Sequence, residues 1–334
     1  MRVWVGVEGG STMGALALPI LTRNVPTLLN VAFNGWLAGI EVEPLRAPMF
    51  WDSREQGLEA QALIPLRTLG EMLGPGCDEA SAVLRAVERV GAVAEYRLRF
   101  RSAFGGRGTA EERARSEVRG NAGSVSAREP ARTGAGEARA SGGASPVTAE
   151  RLAMALAAFE RTLVTGGARV DRYLRGDTQA FEAREVAGLR VFERAGCQHC
   201  HGGPMFSDYK LHFIGAPDTS PSGDGSRALR TPTLRNLRRT APYMHNGSLR
   251  TLREVLAFYE ALSDRVSETL DGGDLQSQPP LDPLLRSLNL VADDFEALEA
   301  FLGTLESPTY DLSRPTRVPS GLAVPIPIRS IPPL

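Results

Sequence analysis

Val191-Phe192-Glu193-Arg194-Ala195-Gly196-Cys197-Gln198-His199-Cys200-His201-Gly202-Gly203-Pro204 is the stretch that decides the fold of this 334-residue chain. Cys-x-x-Cys-His is the attachment signature of c-type haem. Two thiols one turn apart can reach the two vinyl groups of one porphyrin. The adjacent imidazole then lies under the iron as the proximal ligand, and ligand type sets the iron's behaviour. A redox dithiol shares the Cys-x-x-Cys element. A zinc site would want a second ligand pair, and the only other cysteine is Cys77.

Working outward, the composition excludes more than it selects. With 38 basic and 39 acidic residues the net charge is −1, so no overall field recommends nucleic acid or an anionic membrane. No run of 18 apolar residues suggests a membrane span. Met13 to Leu21 is apolar but lacks the basic flank and cleavage site of a signal peptide. Haem attachment to reduced thiols nevertheless implies an exported, periplasmic protein.

Upstream of the motif, Thr148 suits an N-cap, and a helix is expected through Leu152, Leu156, Phe159 and Leu163 to Gly166-Gly167. A second helix, about 178 to 193, delivers the chain to the cysteines. Earlier still, Arg23 to Asn30 reads as an extended loop because Pro26 restricts its predecessor. Leu58, Ala62 and Pro65 recur at helical spacing, with Pro65 expected to end that helix. Residues 79 to 100 read as a helix and its exit, with Val83, Ala86, Val87 and Val90 on one face. Cys77 reads as a buried, inert thiol. From 101 to 147 Gly, Ala, Ser, Arg and Glu dominate, and such a segment buries too little apolar area to offset its ordering entropy. It is expected to be a flexible insertion.

Downstream, a Gly/Ser/Pro loop at 215 to 226 leads to RTPTLRNL (230–237) and APYMHNG (241–247). Helices are expected at about 249–262 and 291–305, the latter with Phe295, Leu298, Phe301 and Leu302 on one face. From Pro308 the tail is proline-rich. Few segments alternate like strands, so the fold class is mostly α: cytochrome c-type helical haem domains with long loops. The sixth position on the iron has five candidates by residue type, Met205, His212, Met244, His245 and Tyr259, and spacing leaves them open.

RNVPTLLN (23–30), FWDSR (50–54), LEAQALIPL (58–66), the AFERTLV helix (158–164), GCQHCHGGPMFSD (196–208), RTPTLRNL (230–237) and APYMHNGSLRTLREVLAFYE (241–260) together resemble the bacterial di-haem cytochrome c peroxidase family. That family includes the MauG branch, which matures tryptophan tryptophylquinone. The resemblance implies residues 1–100 as the remainder of an N-terminal, peroxide-reactive domain, 101–147 as the insertion, 148–307 as a C-terminal haem domain and 308–334 as tail. It also implies that Cys197 and Cys200 anchor the electron-transferring haem, with His201 proximal. Tyr259 falls where peroxidases of the family place an axial methionine and MauG an axial tyrosine. Trp51 matches the tryptophan between the two haems. Asn24, Thr240 and Pro242 match ligands of an inter-haem calcium, oxygen donors suited to a hard cation. Gln61, Pro65 and Glu71 match the pocket over the peroxide-reactive haem, where Glu71 could move protons.

The departures bear on function. The family normally has two Cys-x-x-Cys-His motifs, the first before the RN-x-PT segment. Here only 22 residues, none of them cysteine, precede Arg23. The economical expectation is a sequence that starts downstream of its first haem motif; a mono-haem electron carrier is the alternative. Ser53 replaces the usual glycine of the WDGR run, and Asn246 the usual aspartate after His245. The implied activity is reduction of hydrogen peroxide with electrons relayed through the haem at His201 and Trp51. The implied partners are a small donor cytochrome or cupredoxin, or, on the MauG side, a protein substrate; a homodimer is compatible with the family.

Overall fold

A computed structural model describes residues 23–37, 43–69, 71–73, 76–105, 145–216, 228–270, 281–309 and 315–324. The first 22 residues, nearly all of the expected 101–147 insertion, most of the 215–226 loop and most of the proline-rich tail lie outside the described residues. Among those described, helices dominate, as the sequence reading expects. The strands are two short antiparallel pairs: β1 (Pro48–Met49) with β2 (Glu55–Gln56), and β3 (Leu211–His212) with β4 (Leu229–Arg230). No described helix is long and apolar enough to cross a membrane.

The chain divides into two compact units. The larger combines Met1–Glu79, Ala153–Arg314 and Pro327–Leu334, and the smaller Ala80–Leu152 and Pro315–Ile326. The larger begins with α1 (Leu58–Gln61) and α2 (Ile64–Arg67). Pro65 does not simply stop a helix: it sits in the first turn of α2, where its missing N–H costs nothing. The smaller unit holds most of α3 (Glu79–Ala92), then α4 (Ala94–Phe104) and the start of α5 (Ala149–Arg161). Thr148 caps α5 as expected, its hydroxyl accepting from the Arg151 N–H at 3.2 Å. Phe159 departs from the expected apolar stripe and is 61% exposed, while Ala153 and Ala157 are buried instead. Small residues allow the close approach there: Ala157 packs with Val31, Ala47, Met49 and Leu58.

The haem motif rests on the main core of the larger unit. Helix α6 (Arg169–Leu174) is followed by α7 (Ala183–Arg194), α8 (Leu252–Leu270) and α9 (Phe295–Gly303). Val191 and Phe192 of α7 share a cluster with Phe295, Leu298, Phe301 and Leu302 of α9, the face the sequence periodicity marks. Phe192, Phe206 and Phe301 meet tilted or edge-on, with centroids 5.1 to 6.2 Å apart, as ring quadrupoles favour. At Gly188 a Cβ would lie 1.9 Å from the Ala297 carbonyl oxygen, so the two helix backbones touch where only glycine fits.

A polar knot closes the same unit. The Thr165 hydroxyl accepts from the Asn30 and Asn236 side-chain amides at 2.7 and 3.0 Å and lies 3.0 Å from the Ser307 hydroxyl. The Asn30 side-chain carbonyl accepts from Thr165 N–H at 2.8 Å, and that of Asn236 from Ser307 N–H at 2.9 Å. Both asparagines are buried and left-handed, with φ of 62°, a conformation that asparagine tolerates because its amide bonds locally.

Candidate functional site

Helix α7 aims the motif. Glu182 and Glu185 form a capping box at its start, and Arg169 grips the Glu185 carboxylate through two 2.6 Å bonds. At its other end Gly196 turns left-handed at φ 77°, where a Cβ would meet the Ser287 carbonyl at 2.9 Å. The chain then enters a single 3-10 turn, Cys197–His199, and the His201 N–H closes back on the Cys197 carbonyl at 2.9 Å. Burial pushes the Cys197 thiol pKa up to about 11 and, with Asp208 and Asp282 nearby, that of Cys200 up to about 12.

His201 is held by one nitrogen. Its Nδ1 lies 3.1 Å from the Phe206 carbonyl, which leaves Nε2 for a metal. Burial lowers its pKa, with the carbonyls of Phe206 and Pro232 acting in the opposite sense. The loop carrying Phe206 is clamped by the RTPTLRNL segment. Ser207 Oγ donates to the Thr231 carbonyl at 2.7 Å, Thr233 Oγ1 to the Met205 carbonyl at 2.6 Å, and Arg235 Nε to the Pro204 carbonyl at 2.8 Å. Arg235 is itself fixed by two bonds to Asp171, at 2.7 and 3.1 Å. The segment is therefore the wall behind the histidine.

Tyr259, on α8, packs with Cys197 against the core. Burial first, and then the nearness of Cys197 and Cys200, push its phenol well above the usual range. The structure thus brings Tyr259 to the two cysteines. Of its rivals, His212 is spoken for at both nitrogens: Nδ1 lies 2.7 Å from Asp282 and Nε2 2.9 Å from Asp208. Burial alone would lower this imidazole, but the two carboxylates outweigh it and raise its pKa. Cys200, Asp208 and His212 place ligand-type atoms within 4.8 Å of one another; Cys200 belongs to the haem motif and His212 is already bonded, so they make no separate metal site.

Trp51 and Asn24 also come together. Trp51 Nε1 donates to the Asn24 carbonyl at 2.7 Å, and Asn24 Nδ2 to the Pro242 carbonyl at 2.6 Å. The Thr240 hydroxyl bonds the Leu237 carbonyl at 3.0 Å; the calcium expectation concerns the Asn24 side chain and the backbone carbonyls of Thr240 and Pro242. Around the other implied pocket, the Pro65 carbonyl accepts from Met72 N–H at 3.1 Å, which draws Pro65 to the Glu71 turn. Burial raises the Glu71 pKa, against the pull of Arg54 and a bond from Thr68. Gln61 Oε1 is buried with no hydrogen-bond partner among the described residues.

Other residues emerge only here. Glu160, beside the Glu59–Arg161 pair (2.7 and 2.9 Å), is raised to about 7 by burial, Arg161 opposing and Glu59 adding. Asp282, 70 residues from His212 in sequence, joins Asp208 in holding it, and no local pattern signals that contact. Buried Arg230 and Tyr209 form another pair.

The model of the di-haem cytochrome c peroxidase family matches residues 6–179. The chain belongs to this family. It is 30% identical over 297 residues to the methylamine utilization protein MauG of Methylophilus methylotrophus, covering 78% of this chain and 71% of that protein. It is 28% identical over 310 residues to the cytochrome c551 peroxidase of Nitrosomonas europaea, covering 89% and 69%. The crystal structure of the diheme peroxidase BthA from Burkholderia thailandensis E264 superposes with a TM-score of 0.56 at 21% identity, over 93% of this chain and 78% of that one. A MauG-like protein associated with microbial copper homeostasis gives 0.54 at 24%, over 87% and 77%. These two share the fold. Membership makes the chain a peroxidase-like haem oxidoreductase. Its own residues fit haem c: two sheltered thiols, an imidazole with Nε2 left over, and a half-buried phenol beside both thiols.

Proposed function

We propose that the chain uses hydrogen peroxide as oxidant, with electrons passing by way of the haem held at Cys197, Cys200 and His201. When bound, that haem supplies a metal centre that gains and loses single electrons. The protein's own groups do the rest. His201 Nε2 is offered as the proximal donor because Nδ1 is tied to the Phe206 carbonyl. Trp51 is fixed by its indole bond to Asn24, a rigid placement for an electron-relay side chain. In the other pocket, Gln61 holds an unused buried acceptor and burial raises the pKa of Glu71, a carboxyl of the kind that serves in general acid–base chemistry. Pro65 shapes the same wall.

Calcium at Asn24, Thr240 and Pro242 belongs to this reading. Support comes from the 2.6 Å approach of the Asn24 amide to the Pro242 carbonyl; turning that amide would present two oxygens to a hard cation. Covalent haem c argues for the periplasm, and a small donor cytochrome or cupredoxin would be the ordinary partner.

The observation that carries the reading is the position of Tyr259 beside Cys197 and Cys200. We assign it as the sixth ligand. A phenolate is a hard anionic donor that favours ferric over ferrous iron, whereas a thioether does the reverse. That favours a second reading, MauG-like oxidation of a protein substrate, over routine acceptance of electrons from a carrier. The test is Tyr259→Phe in the haem-loaded protein. The ferric spectrum should move to high spin, and Tyr259→Met should raise the midpoint potential. An unchanged low-spin spectrum in Tyr259→Phe, lost instead in Met244→Ala, would make this an ordinary His/Met haem.

A further inference from the structure

Arg230 is 7% exposed and Tyr209 6%. A buried guanidinium calls for an anion, because the uncompensated charge costs several kcal/mol (roughly) after relaxation. Among the described residues no carboxylate pairs with Arg230. Its Nε donates to the Phe50 carbonyl at 2.9 Å, its backbone N–H to the Trp51 carbonyl at 2.6 Å, and its guanidinium carbon lies 5.7 Å from the Tyr209 ring centroid. The Tyr209 hydroxyl is equally unserved: it is buried and has no hydrogen-bond partner among the described residues. Burial depresses the arginine's pKa and raises the phenol's, in each case against the opposing influence of the other group. The two groups are thus a cation and an O–H donor, sheltered together. The ligand that satisfies both is a carboxylate, which accepts and does not donate.

Their place in the chain says whose carboxylate it is. Tyr209 ends the loop that wraps His201, its N–H bonded to Ser207 Oγ at 3.0 Å, and Ser207 reaches across to the Thr231 carbonyl at 2.7 Å. Arg230 precedes Thr231 and Pro232, and the Pro232 carbonyl faces the His201 ring. The pair therefore stands at the rim of the wall behind His201, on the side toward Phe50 and Trp51. Haem c brings anionic groups to such a place: its vinyl edge is consumed by the two cysteines, and the opposite edge carries two propionates.

We propose that Arg230 and Tyr209 form a carboxylate site for one propionate of the haem held at Cys197, Cys200 and His201. The inference rests on haem attachment at that motif and goes beyond it. One cation then ties the cofactor's rim to the backbone of Phe50 and Trp51, so the haem and the relay tryptophan share a fixed frame.

The test uses the full haem-loaded chain with Tyr209→Phe, Arg230→Lys and Arg230→Leu. A pyridine haemochrome assay comes first: no covalent haem in the parent protein would remove the underlying reading, whatever Arg230 does. With haem attached, Tyr209→Phe and Arg230→Leu should each shift the propionate-bending bands in the resonance Raman spectrum and move the midpoint potential to more negative values. Arg230→Lys should restore the potential in part, since an ammonium supplies charge without the two-pronged geometry. Should Arg230→Leu fail to fold, Tyr209→Phe and Arg230→Lys decide. Unchanged propionate bands and potential in both would overturn the proposal and leave Arg230 a strut for Phe50. A parent spectrum that responds to added chloride or formate would overturn it too, because the occupant would then be an outside anion.

Discussion

Gly188→Ala tests whether the haem motif depends on backbone contact two turns upstream. The added Cβ would lie 1.9 Å from the Ala297 carbonyl oxygen and 2.7 Å from both the Ala297 carbonyl carbon and Phe301 Cβ. An ordinary carbon–oxygen contact is about 3.3 Å or more, so α7 and α9 must part by over an ångström. That strains the layer of Val191, Phe192, Leu298 and Phe301. Overpacking of this kind costs about 3 kcal/mol at the upper end of its usual range, while alanine's better helix propensity returns about 1 kcal/mol. The net expectation is a loss of about 2 kcal/mol. Denaturant unfolding at unchanged slope would read it as a lowered midpoint. Because α7 runs into Gly196 and Cys197, the same variant should carry less covalent haem per chain. A midpoint that stays put or rises would mean that helix propensity governs this position, and the close contact of the two helices would have to be abandoned.

Two further outcomes concern Glu160 and the proposed calcium. Glu160, raised to about 7 by burial, binds a proton in the folded chain over a range where the unfolded chain has lost it. Stability should therefore fall as pH rises from about 4.5 to about 7 and level off above. Glu160→Gln should remove that slope, exceeding the parent at pH 8 and matching it near pH 4.5 in chemical denaturation; parallel pH profiles would refute the assignment. Chelator should lower the parent's melting temperature, because a cation bound only to the folded state stabilises it by mass action. Asn24→Ala should start lower and ignore the chelator, and equal responses would remove Asn24 from the site.

What could be read in the residues was local. Cys197, Cys200 and His201 declare themselves by spacing, and the apolar face of α9 by a period of 3.6. Thr148 is a cap whose partner is three residues away. Phe159 misled because periodicity marks a stripe, not which residues of it are covered: buried Ala153 and Ala157 can let backbones approach, and Phe159 was turned outward. The tie between His212 and Asp282 spans 70 residues, and that between Arg230 and the Phe50 carbonyl spans 180. Pairings at that distance carry no pattern in a single chain. The resemblance to a family supplied Asn24, Trp51, Gln61 and Glu71, none of which has a motif of its own. It gave no hint of Tyr209, whose meaning lies in a hydroxyl left without a partner.

The knot at Thr165 bears on the order in which the molecule can be assembled. Its four side chains come from positions 30, 165, 236 and 307, joined across separations of 135, 71 and 142 residues. Loop closure must be offset before such contacts return anything, which makes them slow to form. A chain made from its N-terminus presents Asn30 and Thr165 long before Ser307 exists, and Asn236 has no backbone N–H to accept until then. Asn30 and Thr165 can therefore bond each other first, and the knot is completed only when Ser307 arrives. Maturation of this protein should end with the docking of the segment that carries Ser307 onto Thr165 and Asn236.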